Sequence, residues 1–236
     1  MIRVLITRAA PEAEATASRV ARMGHTPIVS PALMIEPLAF QFDPNGVQAL
    51  LFTSAAGVRA LGKCDLPALA VGEGTAEAAR ALGYQDVRSA DGAAVDLIEL
   101  AKGLDPAAGA MVHVSGEDIA TNVAEAIVDA GFAAARLIVY RARAATALTP
   151  QALNLLTGVS PGDSVMFHSA RGAESFCRLA AAAGLHAQAA RLIALCLGGR
   201  AAETAAAFDF RRVLVAAAPR EKALLSLLEE VAADRA

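Results

Sequence analysis

Short apolar runs alternate with helix-like runs along almost the whole chain of 236 residues. Strands and helices that alternate in this way predict parallel sheets covered by helices on both faces, so the predicted fold class is α/β. The predicted strands are RVLITR (3–8), ALLFTS (49–54), PALAVG (67–72), QDVRS (85–89), AMVHVSG (110–116), SVMFHSA (164–170), RLIALCLG (191–198) and RVLVAAA (212–218). The helix-like runs that follow them are 12–24, 55–63, 74–83, 94–104, 121–131, 174–184, 200–208 and 221–233.

The chain also repeats itself. LLFTSAAGV (50–58) parallels VMFHSARGA (165–173), residues 4–25 parallel 111–132, and residues 70–79 parallel 196–205. The similar segments occur in the same order in both parts of the chain, so they predict two tandem halves of about 1–106 and 108–236.

Each predicted half contains one long extended segment, residues 26–40 in the first half and 134–148 in the second. The first segment carries Pro27, Pro31 and Pro37, and proline suits an edge strand or a strand between lobes better than a central strand. Two such crossing segments would tie two lobes together.

Composition excludes several functional classes. The net charge is −3 and the basic residues are dispersed, which argues against a nucleic-acid partner. No run of apolar residues is long enough to span a bilayer, and the start of the chain has Arg3 and Arg8 within a strand pattern rather than a signal peptide. We therefore expect a cytoplasmic protein without membrane attachment.

The chain has few residues suited to metal binding. Cys64, Cys177 and Cys196 have no paired spacing, and the four histidines have no ligand spacing. We expect no disulfide framework and no metal site.

The ends of the predicted strands indicate a ligand site. Open α/β sheets bind ligands beyond the carboxyl ends of their strands, so two lobes that turn these ends toward each other would enclose a cleft. The residues after the strands offer hydroxyls and helix-start amides, which suit anionic oxygen atoms. They are Thr7, Arg8, Thr53, Ser54, residues 72–75, Ser115, Gly116, His168, Ser169, Gly198 and Gly199.

Three apparent motifs have weaker interpretations. GVRALGKC (57–64) nearly spells a phosphate-binding P-loop, but Cys64 stands at the magnesium-binding position and the segment continues a helix. GEGTAE (72–77) lacks the third glycine of a dinucleotide loop, so a general anion site is favoured there. His168 and Ser169 are adjacent in a strand and point to opposite faces, so they cannot form a base–nucleophile pair.

Tyr140 ends the apolar run LIVY, just before Arg141 and Arg143. Two interpretations stay open from the residues alone. The side chain is either a packing residue between lobes or a phenol that faces the cleft and donates a proton or hydrogen bond.

Taken in order, these segments resemble the uroporphyrinogen-III synthase family. VLITR, LLFTSAAGVRAL, LAVGEGTAEAARALG, the run from MVHVSG to GF followed by LIVYRA, and VMFHSARGAESF are similar to its successive signatures over nearly the whole chain. Three features depart from the family. His168 stands where a threonine is usual, Arg200 and Ala201 stand where consecutive threonines are common, and residues 118–122 lack the common Arg-Gly pair.

The resemblance implies two similar, flavodoxin-like parallel-sheet lobes joined by two antiparallel crossing strands, with a cleft between the lobes. It implies that residues 1–35 join 145–236 in one lobe and that 40–137 form the other, with crossing segments at about 36–39 and 138–144. It also implies a monomer that needs no cofactor.

The activity implied by the resemblance is that of a hydro-lyase in tetrapyrrole and haem biosynthesis. Such an enzyme cyclises hydroxymethylbilane to uroporphyrinogen III, with inversion of the terminal pyrrole ring and loss of water. Tyr140 would assist departure of the hydroxyl group. The expected substrate contacts are Thr7, Arg8, Ser54, Thr75, Ser115, Gly116, Ser169 and Gly198, with Arg141, Arg143 and Arg171 as weaker candidates.

Two rivals remain at this point. The first is a bilobed cytosolic binding or sensor protein that closes on an anionic metabolite without catalysis. The second is a nucleotide-dependent enzyme, which both incomplete phosphate motifs make less favoured.

Overall fold

Strands and helices alternate through the structure, a computed structural model that describes residues 1–90 and 92–234. Asp91 and residues 235 and 236, which the predicted lobes include, lie outside the described residues. The strands are β1 (Arg3–Ile6), β2 (Thr26–Val29), β3 (Leu33–Pro37), β4 (Val47–Phe52), β5 (Ala68–Ala70), β6 (Val87–Ser89), β7 (Ala110–Gly116), β8 (Ala134–Ala144), β9 (Ser164–Phe167), β10 (Ile193–Cys196) and β11 (Arg212–Val215). The helices are α1 (Glu12–Arg22), α2 (Ala55–Leu61), α3 (Glu73–Ala81), α4 (Ala94–Lys102), α5 (Val123–Asp129), α6 (Pro150–Thr157), α7 (Ala170–Ala182), α8 (His186–Ala189), α9 (Gly199–Ala206) and α10 (Glu221–Ala233).

The strands form two sheets, and parallel pairing predominates in both. The first sheet has the order β11-β10-β9-β1-β2, with every pairing parallel. The second has the order β3-β8-β7-β4-β5-β6, and its pairings from β8 to β6 are parallel. The predicted α/β class with parallel sheets is therefore confirmed.

β3 is the exception, because it runs antiparallel to its neighbour β8. The N–H of Leu38 donates to the Val139 carbonyl at 2.9 Å, and the N–H of Ala145 donates to the Ala32 carbonyl at 2.9 Å. Residue numbers thus rise along one strand as they fall along the other, which is the antiparallel arrangement.

The chain divides into two compact units. The first comprises Met1–Met34 and the chain from Arg143 onward, and the second comprises Ile35–Ala142. The chain therefore leaves the first unit within β3 and returns to it within β8.

In the first unit, helices cover both faces of the sheet. Leu5 of β1 packs with Phe176 of α7 on one face, while Val4 packs with Val20 of α1 and Leu224 of α10 on the other. Neighbouring strand residues point to opposite faces, so a continuous apolar strand such as β1 fills two cores at once.

The second unit follows the same logic. Leu51 of β4 packs with Leu97 of α4 and Ile127 of α5, while Leu50 packs on the opposite face with Val58 of α2. Each sheet is thus a central layer between helices, so polar groups that bind a ligand are expected at the ends of the strands rather than on the faces of the sheet.

The predicted repeat is confirmed by the strand order. Read as β2-β1-β9-β10-β11 and as β8-β7-β4-β5-β6, the parallel strands of the two sheets match pair by pair. The strands that precede Ser54 and Ser169, β4 and β9, occupy the same place in their sheets. Because β1 and β2 of the first half lie in a sheet with β9–β11 of the second half, each unit mixes the halves.

The predicted extended segment at 26–40 is corrected by the structure. It contains two strands that belong to different sheets, β2 and β3, and each lies at a sheet edge. Pro27 lies within edge strand β2 and Pro37 ends edge strand β3, where a missing N–H donor costs no ladder hydrogen bond. The second segment holds one long strand, β8.

No helix within the described residues is both long enough and apolar enough to cross a lipid bilayer.

Candidate functional site

In the first unit, the ends of β1 and β9 lie side by side at the carboxyl edge of the sheet, with Ile6 opposite Met166. The chain continues from β1 to β2 on one side and from β9 to β10 on the other. Such a switch point is where open α/β sheets bind ligands. Thr7 ties the two strands together here, because its buried hydroxyl donates to the Met166 carbonyl at 2.7 Å. The side chain of Thr7 is therefore occupied by this strand–strand contact.

Arg8 is held at the same edge by side chains from two helices. Its Nη1 donates to the Thr16 hydroxyl at 3.3 Å and lies 3.7 Å from Oε2 of Glu221. Glu221 also accepts from the Thr16 hydroxyl and from Arg19. Burial lowers the pKa of Arg8, while the Glu221 carboxylate raises it and Arg19 lowers it again. An arginine keeps its proton under these conditions, so Arg8 is a fixed positive charge.

His168 follows β9 and carries no charge at neutral pH. Both ring nitrogens are buried, and neither has a hydrogen-bond partner among the described residues. Burial, and then the nearby charge of Arg8, lower the pKa of His168 to about 3. The hydroxyl of Ser169 instead accepts from the N–H of Gly172 at 3.1 Å. This geometry agrees with the prediction that His168 and Ser169 do not act as a base–nucleophile pair.

Helices at the carboxyl edges begin in two different ways. Ser54 caps α2 by accepting from the N–H of Ala56 at 3.1 Å, and Ser169 caps α7 by accepting from the N–H of Gly172. By contrast, α3 and α9 begin after Gly72 and Gly198, which provide no side-chain cap. A helix start without a side-chain cap presents its N–H groups to an external anion. The repeat therefore pairs a capped start with an uncapped one in each unit.

Thr75 lies in the first turn of α3 and is buried. Its N–H donates to the Gly72 carbonyl at 3.0 Å. The hydroxyl is thus placed close to the uncapped start of the helix.

In the second unit, the ends of β7 and β8 are joined through an irregularity. Ser115 is paired with Ile138, but Gly116 is paired with Tyr140, so Val139 of β8 is not paired with a residue of β7. Such a bulge turns the side chains beyond it. The Tyr140 ring consequently lies against Gly116, where an added Cβ atom would be 2.6 Å from Cε2 of the ring. The Tyr140 hydroxyl has no hydrogen-bond partner among the described residues.

Arg136 secures this strand end. Its Nε donates to the Ser115 hydroxyl at 2.9 Å, and its Nη2 donates to the carbonyls of Gly116 and Glu117, each at 2.6 Å. The Ser115 hydroxyl in turn donates to the Gly116 carbonyl at 3.2 Å. Ser115 is buried, so the predicted contact at Ser115 is part of an internal hydrogen-bond network.

A second polar pair lies deeper in the same sheet. Nε2 of His113, in β7, is 3.2 Å from the hydroxyl of Thr53, which follows β4. Burial, and then the charge of Arg136, lower the pKa of His113 to about 4, so its imidazole is neutral at pH 7. His113 is therefore a neutral residue of the sheet interior, in hydrogen-bond contact with Thr53.

The weaker arginine candidates have different environments. Arg141 pairs with Glu36 of β3, its Nε lying 2.9 Å from Oε2. Arg143 and Arg171 are exposed. The carboxylate next to Arg141 makes it the less suitable anion ligand.

Two residues at these edges were missed by reasoning from the sequence, Arg136 and Glu221. Arg136 lies opposite His113 in β8, and nothing in the sequence shows that its side chain reaches Ser115 of the neighbouring strand. Glu221 is the first residue of the last helix, and its contact with Arg8 spans the length of the chain. Both contacts depend on which strands are neighbours.

The segment GVRALGKC (57–64) does not have the geometry of a phosphate-binding P-loop. Residues 57–61 belong to α2, and Gly62 ends that helix with a φ of 82°. A P-loop would need the glycines between a strand and a helix start, so that alternative is wrong. No group of three or more potential metal ligands lies together in the described part of the chain.

Comparison with known proteins identifies the family. The family described as uroporphyrinogen-III synthase HemD matches residues 14–226. The chain belongs to the uroporphyrinogen-III synthase family. Its members are hydro-lyases of tetrapyrrole biosynthesis, and this family assigns the same activity to the chain in preference to a non-catalytic sensor. No curated protein matches the chain.

Solved structures of this family share the fold. The chain is similar to the uroporphyrinogen-III synthetase of Helicobacter pylori 26695, with 17% identity, a TM-score of 0.63, and coverage of 98% of this chain and 100% of the other. It is also similar to a mutant uroporphyrinogen III synthase of the extremely thermophilic bacterium Thermus thermophilus, with 19% identity, a TM-score of 0.53, and coverage of 99% and 100%. At such identities the likeness supports the fold rather than individual residues.

Proposed function

We propose that this chain converts hydroxymethylbilane to uroporphyrinogen III by binding the substrate with groups at the carboxyl ends of its parallel strands. The observation that carries this proposal is the matching strand order of the two sheets, with a hydroxyl cap and an uncapped helix start at corresponding strand ends. In this proposal the units act as lobes, with residues 1–35 and 145–236 in one and 40–137 in the other, and residues 36–39 and 138–144 cross between them.

The reaction itself makes modest demands on side-chain chemistry. Protonation and loss of the hydroxyl group as water leave an azafulvenium cation on the substrate, whose positive charge the pyrrole nitrogens share. The substituted carbon of the terminal ring attacks this electrophile to give a spiro intermediate, which fragments and recloses with that ring inverted. One water molecule is released overall. The protein must hold the conformer that leads to the inverted product.

The substrate's carboxylates are what the protein has to grip. Hydrogen bonds to charged groups are strong when donors are preorganised, as at the uncapped starts after Gly72 and Gly198 and at the fixed charge of Arg8. We assign the remaining contacts to Thr7, Ser54, Thr75, Ser115, Gly116 and Ser169. For Thr7 and Ser115 the side chains are internal, so the contacts proposed there come from the main chain.

Tyr140 is the proposed catalytic residue. Its hydroxyl has no partner among the described residues, and the ring is held by Gly116. A phenol in this position donates a hydrogen bond to the departing hydroxyl group and so favours its loss as water. We further propose that the protein works as a monomer in the cytoplasm, without a cofactor, a metal or nucleic acid.

One assay tests the proposed reaction. The protein is supplied with hydroxymethylbilane, the products are oxidised, and the type I and type III isomers are separated by chromatography. We expect the type III isomer, formed faster than spontaneous closure yields type I. Type I alone, at the rate found without protein, refutes the proposal.

The role of Tyr140 is tested by Tyr140→Phe. Loss of one hydrogen bond to the leaving group lowers kcat by roughly 10²-fold or more, within the range that general acids contribute, while product binding stays unchanged. Tyr84→Phe is the matched control, because the Tyr84 hydroxyl donates to the Gly62 carbonyl at 2.8 Å inside the fold. That control loses some stability and keeps its kcat. A fully active Tyr140→Phe enzyme removes Tyr140 from the mechanism.

A further inference from the structure

Arg136 occupies a place in the second unit that the proposed reaction does not yet use. The residue lies in β8 opposite His113, and its side chain reaches along the strand to the end of β7. One guanidinium there binds a hydroxyl and two consecutive main-chain carbonyls, those of Gly116 and Glu117. Three contacts from one planar group fix the direction of both peptide units.

These two peptide units are the ones that position Tyr140. Gly116 pairs with Tyr140 across the bulge, and the N–H of Glu117 donates to the Tyr140 carbonyl at 2.8 Å. The ring then rests on Gly116, with no room for a Cβ atom between them. Any rotation of the peptide units after Ser115 therefore moves the support of the ring.

The charge of Arg136 is directed at main-chain oxygens. No carboxylate of the described residues forms an ion pair with Arg136, and the neighbouring His113 is neutral at pH 7. Two carbonyls that converge on one point repel each other, and a guanidinium between them removes that repulsion. The guanidinium thus stabilises the bulged strand end in this form.

We propose that Arg136 is a positioning residue of the synthase reaction, which holds the bulged end of β7 so that the Tyr140 hydroxyl stays directed at the departing group of the substrate. This inference rests on the proposed role of Tyr140. Arg136 acts through the main chain of Gly116 and Glu117 and does not contact the substrate.

The first test observes Tyr140 directly, without substrate. The chain contains only two tyrosines, so protein labelled with ¹³C in its tyrosine rings gives signals from Tyr84 and Tyr140 alone, and Tyr84→Phe assigns them. In Arg136→Met, which keeps the apolar stem, we expect the Tyr140 signal to shift or broaden while the Tyr84 signal stays in place. Arg88→Met is the control, since Arg88 lies in β6 of the same sheet and its ion pair within the described residues is with the exposed Asp86.

The second test measures kinetics. Arg136→Met lowers kcat by roughly 10- to 100-fold, the range expected when a catalytic group moves by up to about 1 Å, and leaves KM within about twofold. Arg136→Lys recovers part of the loss, because one ammonium group reaches a carbonyl without the planar fork. In a Tyr140→Phe background, Arg136→Met has no further effect on kcat.

The outcomes separate this inference from the proposed reaction. A Tyr140 signal that does not move in Arg136→Met overturns the positioning role. A raised KM with unchanged kcat also overturns it, because that result indicates that Arg136 binds a substrate carboxylate directly. An effect of Arg136→Met that persists in full on Tyr140→Phe also overturns it. A shifted Tyr140 signal in a chain that yields only the type I isomer supports the structural link and refutes the synthase function instead.

Discussion

Replacing Gly116 with alanine isolates the contact between the end of β7 and Tyr140. An added Cβ atom would lie 2.6 Å from Cε2, 2.7 Å from Cζ and 3.1 Å from the hydroxyl oxygen of Tyr140. Carbon atoms in ordinary contact are about 3.5–4.0 Å apart, so the ring has to retreat by about 1 Å. Gly116 is not among the glycines with a positive φ, so the effect comes from the contact rather than from backbone strain.

Two measurable changes follow from this displacement. Overpacking of this kind costs about 1–3 kcal/mol of unfolding free energy. For a protein of this size each 1 kcal/mol lowers Tm by about 2–4 °C. A shift of about 1 Å in the Tyr140 hydroxyl lowers kcat by up to roughly 10²-fold.

The assay combines thermal unfolding, followed by circular dichroism, with the rate of type III isomer formation. Gly158→Ala is the matched control, because a Cβ atom there meets nothing within 4 Å and the residue lies at the end of α6. That control keeps the Tm and kcat of the unmodified protein within error. If Gly116→Ala does the same, the close contact between Gly116 and the Tyr140 ring is refuted.

The remaining predictions concern the first unit. Ser169→Ala removes the side-chain cap of α7 and lowers the free energy of unfolding by about 0.5–2 kcal/mol, as measured by urea titration. Ser169→Asn retains most of the original stability, because asparagine is also a good helix cap. Equal urea midpoints for the unmodified protein and both variants would contradict the role of Ser169 as a cap. The pKa of His168 is about 3 in the fold, against about 6.5 when unfolded, so the unfolded chain takes up a proton first as the pH falls. Stability is therefore lost between about pH 6.5 and pH 3, and His168→Thr shows a smaller drop in urea midpoint between pH 7 and pH 5; parallel curves would refute the buried neutral imidazole.

The sequence predicted those parts of the fold that depend on local chemistry. The alternation of apolar strands with helical runs predicted the parallel sheets, because each pattern suits only one kind of secondary structure. Gly24, Gly83 and Gly131 are the last residues of the predicted helical runs 12–24, 74–83 and 121–131. Their φ values are 80°, 91° and 90°, a region that residues with a Cβ atom seldom enter.

Segment 26–40 shows where local patterns are insufficient. Its apolar and proline-rich sequence is consistent with one extended segment, and the structure divides it between the edges of two sheets. Which edge a strand joins depends on neighbours that are distant in sequence, such as β1 for β2 and β8 for β3. The sequence of a single strand does not show which other strand it will pair with.

The sequence by itself determined that Ser54 and Ser169 end equivalent strands, because the repeated segments around them can be recognised without a structure. It also predicted a helical run after each of them, at 55–63 and 174–184, and in the structure both serines are helix caps. Only the tertiary structure decided that Arg136 reaches Ser115 and that Tyr140 lies on Gly116. Those contacts follow from the register and bulge between β7 and β8, which are set by the packing of the whole sheet rather than by any run of neighbouring residues.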